Sequence, residues 1–124
     1  MTEQTEQGYG SSDGYGADLG SLAATTAGSR TFAGTFVVEW TPSQTAASLV
    51  IKVTAGGSLL TQGTFNTDNA TQHLSGDNGT YFFKGTFVAG FNAPPTSGTL
   101  FGQNLEFTAP GDNKTRFSGV LGVW

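Results

Sequence analysis

The stretch Tyr81-Phe82-Phe83-Lys84-Gly85-Thr86-Phe87-Val88-Ala89 decides the fold class. Tyr81, Phe83, Gly85, Phe87 and Ala89 fall on one side of an extended chain, and Lys84 and Thr86 on the other. This is the two-residue period of a strand with one buried face; a helix would need its apolar residues three and four apart.

Working outward, the same period recurs. Phe32, Gly34, Phe36, Val38 and Trp40 oppose Thr31, Thr35 and Glu39, and Leu49, Ile51 and Val53 oppose Ser48, Lys52 and Thr54. Leu59, Thr61, Gly63 and Phe65 follow. Leu105 and Phe107 bracket Glu106, and Phe117, Gly119, Leu121 and Val123 oppose Arg116 and Ser118. Turn chemistry separates the runs at Thr41-Pro42-Ser43, Gly56-Gly57, Asp77-Asn78-Gly79, Pro94-Pro95 and Gly111-Asp112-Asn113. Of these, Asp77-Asn78-Gly79 is the strongest hairpin signal. In this phasing Glu39, Lys52, Lys84, Glu106 and Arg116 all lie opposite the large rings, as the cost of burying unpaired charge requires. Val37, Val50, Leu60, Phe82, Val88 and Val120 share their polar side, and clustered there they would make an apolar patch suited to self-association.

A short unit repeats at irregular spacing: Phe32-Ala33-Gly34-Thr35-Phe36, Thr61-Gln62-Gly63-Thr64-Phe65, Phe83-Lys84-Gly85-Thr86-Phe87 and Phe117-Ser118-Gly119-Val120-Leu121. A glycine inside a strand weakens it, so its recurrence points to curvature, with flanking rings covering the gap. Phe32, Phe36, Trp40, Phe65, Phe83, Phe87, Phe107 and Phe117 supply the inner face, each burying on the order of 150–250 Å². The expectation is an all-β domain over residues 30–124: seven or eight antiparallel strands in a small closed or nearly closed β-barrel, up-and-down and calycin-like in appearance, with a β-sandwich as the alternative. Ala33-Gly34-Thr35-Phe36 and Gln62-Gly63-Thr64-Phe65 resemble the Gly-Thr-aromatic strand starts of avidin-type barrels. The resemblance is one of strand grammar. Phe65 and Thr67 stand where an avidin places a tyrosine and a serine, and Trp40 and Trp124 are too few tryptophans for a biotin site.

Residues 1–29 read differently. They hold Glu3, Glu6, Asp13 and Asp18 with no basic residue, a sum of −4. In residues 30–124, five acids (Glu39, Asp68, Asp77, Glu106, Asp112) cancel five bases (Arg30, Lys52, Lys84, Lys114, Arg116). The run Gly8-Tyr9-Gly10-Ser11-Ser12-Asp13-Gly14-Tyr15-Gly16 lacks the apolar groups that offset the entropy of ordering, so 1–29 reads as a disordered acidic tail. It is either a solvating leader or a docking arm anchored by Tyr9 and Tyr15.

The whole chain of 124 residues carries a net charge of −4, which disfavours a nucleic-acid partner. No apolar run is long enough for a helical membrane span, and the polar start is unlike a signal peptide, so a cytoplasmic chain and a processed, exported one both fit. Zero cysteines exclude disulfides and thiolate chemistry.

The single histidine, His73, with Asp68, Asp77 and Ser75 nearby in sequence, lacks any nucleophile elbow, so catalytic residues are not assigned and enzymatic activity is disfavoured. Asp68-Asn69, Asp77-Asn78 and Asp112-Asn113 offer oxygen ligands but read as turn residues, and no metal or other cofactor is expected. A carbohydrate site needs hydrogen-bonding side chains beside an aromatic platform. Asp68, Asn69, His73, Asp77 and Asn78, taken as one polar loop region, supply the first, and Trp40 or Trp124 the second. The leading expectation is a non-catalytic binding module that holds a small molecule, glycan or partner at the barrel mouth or on these loops. The alternatives are a homo-oligomeric assembly subunit of a virion or cell surface, joined through the outer sheet face, and a cyclase- or isomerase-type barrel enzyme confining its substrate.

Overall fold

The computed structural model describes residues 3–6, 27–43, 46–93 and 97–124. Among the described residues there are nine strands: β1 (Glu3–Glu6), β2 (Gly28–Phe32), β3 (Phe36–Pro42), β4 (Ser48–Ala55), β5 (Ser58–Asn66), β6 (Thr71–Asp77), β7 (Phe82–Phe91), β8 (Gly98–Ala109) and β9 (Asn113–Val123). No helix occurs among the described residues. They form two sheets, ordered β2-β3-β4-β5 and β1-β9-β8-β7-β6. All ladders are antiparallel except β1 on β9, which is parallel. The expected tail lies mostly outside the described residues, Tyr9 and Tyr15 included. Within its span, however, residues 3–6 are strand and β2 already begins at Gly28.

The two sheets share one core. The Phe32 ring stacks on Phe107 at 4.6 Å, Phe36 meets Phe107 at 5.2 Å, and Phe65 meets Phe87 edge to face at 6.3 Å, each pair spanning the two sheets. Trp40, Leu49, Ile51, Leu100, Leu105 and Leu121 fill the space around them, all buried. Edge-to-face and offset ring pairs stabilise by about 0.5–1.5 kcal/mol beyond the area they bury. The five strand charges singled out above project from the outer faces, while the neighbouring inner positions are buried.

The closed barrel is not what forms. Among the described residues no ladder joins the sheets; there is only the isolated Asn66–Asn69 bridge inside the β5–β6 turn. Side chains bridge both seams instead. Between β5 and β6, Gln72 Nε2 donates to the carbonyls of Thr64 (2.7 Å) and Asn69 (3.1 Å), and at the far end of the seam Asn78 Nδ2 donates to the carbonyl of Ala55, the last residue of β4 (3.1 Å). The strands pass close at Gly76, where a β-carbon would collide with the Leu60 carbonyl oxygen, yet no ladder forms between them. Between β9 and the other sheet, Arg30 donates to the Val120 carbonyl (3.3 Å) and the Trp40 indole N–H to the Val123 carbonyl (3.0 Å). This two-sheet packing is the arrangement the sandwich alternative expects.

Two local readings change, at Gly34 and at Leu60, and one cation lies inside. Ala33-Gly34-Thr35 is a turn and not mid-strand: Phe32 and Phe36 face each other across it, Ala33 and Gly34 have φ of 54° and 68°, and Thr35 N–H donates to the Phe32 carbonyl (3.1 Å). Left-handed backbone is where glycine is favoured, so Gly34 serves this turn and not strand curvature. Leu60 is buried and Leu59 exposed, the reverse of simple alternation, because the β4–β5 register shifts after Val53 and Leu60 is the extra residue of a bulge. Arg30 points inward beside Phe32, its guanidinium 4.6 Å from the Phe117 ring centre, so this cation is covered by aromatic faces.

Candidate functional site

The site begins with two adjacent phenylalanines on β7. Alternation sends Phe83 into the core and leaves Phe82 outside, 54% exposed. Register then builds a row across the outer face of the larger sheet: Asp77 on β6 lies opposite Phe82, Phe82 opposite Thr108 on β8, and Thr108 opposite Lys114 on β9. The next row in the same sense is Ser75, Lys84, Glu106 and Arg116. With Asp112 from the β8–β9 turn, these rows, Arg116 excepted, line an open groove of about 520 Å³. A hollow of about 400 Å³, bounded by Asn104, Arg116 and Ser118, continues beside it.

A bulge sets the second row. Gly102 pairs with Gly119 and Leu105 with Phe117, so Gln103 and Asn104 together oppose one residue of β9. Asn104 takes a left-handed φ of 52°, and its N–H donates to Ser118 Oγ (2.9 Å). The extra residue puts Leu105 into the core and turns Glu106 out.

Glu106 accepts from Arg116 Nε (3.1 Å) and Nη2 (2.8 Å), and Lys84 Nζ lies 3.7 Å from its other oxygen. The hydrogen bond from Arg116, reinforced by the charge of Lys84, outweighs burial and holds the Glu106 carboxyl below its ordinary range. Lys114 donates to Asp112 (2.6 Å), which lowers the Asp112 pKa and raises that of Lys114. The cations of the face are thus matched locally: Arg116 and Lys84 with Glu106, Lys114 with Asp112. Beside them lie an exposed ring and the hydroxyls of Ser75 and Thr108.

The structure does not bring together the residues singled out from sequence. Trp40 has no exposed surface, and Trp124 is 3% exposed and packed edge to face on Phe91, so neither presents a platform. Thr71–Asp77 is strand, not loop, which sets Asp68 and Asn69 at one end of β6 and Asp77 and Asn78 at the other, about 20 Å apart. Asp68 and Asn69 form the β5–β6 turn, where Asp68 N–H donates to Asn66 Oδ1 (2.9 Å). His73 is exposed on β6, with Nδ1 3.2 Å from Thr86 Oγ1. Asn78 builds the β6–β7 hairpin: its Oδ1 accepts from Thr80 N–H (3.1 Å) and Tyr81 N–H (3.0 Å). Of the seven, only Asp77 lines the groove.

Phe82, Lys84, Glu106, Thr108 and Lys114 were not singled out as a site. The available signal was Phe82 itself, a large ring out of phase with its strand. Among the described residues the core between the sheets is packed with rings. Among the described residues no group of three metal-ligating side chains converges, and no helix is long and apolar enough to cross a membrane. Comparison with family models, curated proteins and solved structures finds no match to the chain.

Proposed function

We propose that the protein is a non-catalytic binding module whose ligand lies on the outer face of the larger sheet, in the groove beside Phe82. The observation that carries this reading is the exposed Phe82 ring set in a row with Asp77, Thr108 and Lys114. The cations of the groove are already matched, so an anionic ligand would have to displace a carboxylate in place, which favours a neutral one that Asp77 can accept hydrogen bonds from. A neutral ligand with one apolar face and many hydroxyls matches an aromatic plate edged by a carboxylate, hydroxyls and an ammonium group. A glycan has that chemistry, its C–H face on the ring and its hydroxyls on Asp77, Ser75 and Thr108.

The test is a neutral-glycan array read with the wild-type chain, followed by calorimetry on any binder with Phe82→Ala and Asp77→Asn. The expected outcome is at least one binder, weakened about tenfold or more by Phe82→Ala, a loss of roughly 1.4 kcal/mol. An array with no binder, or a binder indifferent to both substitutions, overturns the reading.

A further inference from the structure

The β9 edge is covered by a strand unlike the others. β1 is the parallel neighbour of β9, with Glu3, Gln4, Thr5 and Glu6 in register with Lys114, Thr115, Arg116 and Phe117. Its sequence, Glu-Gln-Thr-Glu, has no apolar residue for a core, so what it brings to the sheet edge is backbone pairing. Any chain that presents this tetrapeptide satisfies the edge equally well, because an unpaired edge is a template for a further strand.

Twenty-one residues, 7–27, connect β1 to β2. Fully extended, a connection of that length reaches about 70 Å, roughly twice the diameter of a domain of this size. The β9 of the same chain and the β9 of a neighbour are therefore both within reach of one arm. We propose that residues 3–6 exchange between copies, the arm of one chain adding as a parallel strand to β9 of a second. Exchange keeps every pairing of the closed monomer and loses only the freedom of the second molecule, which is why swapping an identical element is a low-cost route to association. Within one chain the linker supplies an effective concentration of about millimolar or less, so exchange grows as protein concentration approaches that range. This inference is independent of the groove and of any ligand.

The chain has no cysteine, so engineered thiols report the pairing directly. Residues in register on adjacent strands lie about 4.8 Å apart, within the span of a disulfide. Full-length Thr5→Cys is mixed with full-length Arg116→Cys and oxidised over a range of concentrations. In parallel, the chain carrying both substitutions is oxidised at high dilution. The expected result is a closed monomer from the doubly substituted chain and a mixed disulfide dimer from the pair, its yield rising with concentration. That yield should exceed the one from Thr5→Cys mixed with Lys52→Cys, whose thiol lies on the other sheet. A doubly substituted chain that closes on itself while the mixture gives no more dimer than the control overturns the exchange. Failure of both to cross-link removes the β1–β9 pairing on which it rests.

Discussion

Phe82 and Phe83 are identical neighbours that end on opposite sides of a sheet, and the contrast between Trp40 and Trp124 is of the same local kind. Both indoles are buried, but Trp40 donates to the Val123 carbonyl at 3.0 Å while Trp124 Nε1 finds no acceptor among the described residues. An unsatisfied buried donor costs about 1–3 kcal/mol, whereas removing one partner of a made bond strands the other. Trp40→Phe is therefore expected to destabilise more than Trp124→Phe, by about 1 kcal/mol or more, read from urea unfolding midpoints at a common m-value. The sequence placed Trp40 on the inner face by alternation and also offered it as a platform. Only the first use is compatible with its burial, and a ring cannot serve both.

At the scale of strands, the cross-strand set Lys84, Glu106 and Arg116 joins β7, β8 and β9 on the outer face. Such exposed sets are worth about 0.2–1 kcal/mol after solvent screening. A double-mutant cycle with Glu106→Gln and Arg116→Gln is expected to give a coupling in that range, shrinking as salt is added. Because the folded-state pKa of Glu106 is lowered, its contribution is present above the carboxylate's unfolded value and is lost as pH falls through the folded value. The coupling should therefore be intact at neutral pH and vanish in acid; a coupling that grows in acid would contradict the assignment. Much at this scale was legible in the chain. The Asp77-Asn78-Gly79 hairpin and the outward charges follow from turn chemistry and the cost of burial. The β2–β3 turn was hidden because it keeps Phe32 and Phe36 an even number of residues apart, so alternation runs through it without a break. Strand β6 was hidden because it is polar, with Leu74 as its one large apolar residue, and reads like a loop. Bulges at Leu60 and Asn104 exchange inside for outside by one residue, and nothing in the local composition announces them.

At the scale of the molecule, period-two patterning fixes how many faces are apolar but not how the sheets meet. Whether β5 pairs with β6 or merely touches it depends on contacts such as Gly76 against Leu60, which no pattern encodes. The same gap hid the groove, because its rows are assembled from four strands whose order across the sheet is a property of the fold. A full interior bears on the proposal: with the rings of both sheets packed together, the proposed ligand is placed on the outer face. The most direct check is the intrinsic tryptophan emission of the native chain with iodide as quencher. Two buried indoles predict blue-shifted emission that iodide barely reduces until the chain is unfolded. Red-shifted, readily quenched emission from the native protein would mean an open interior, and would contradict the account.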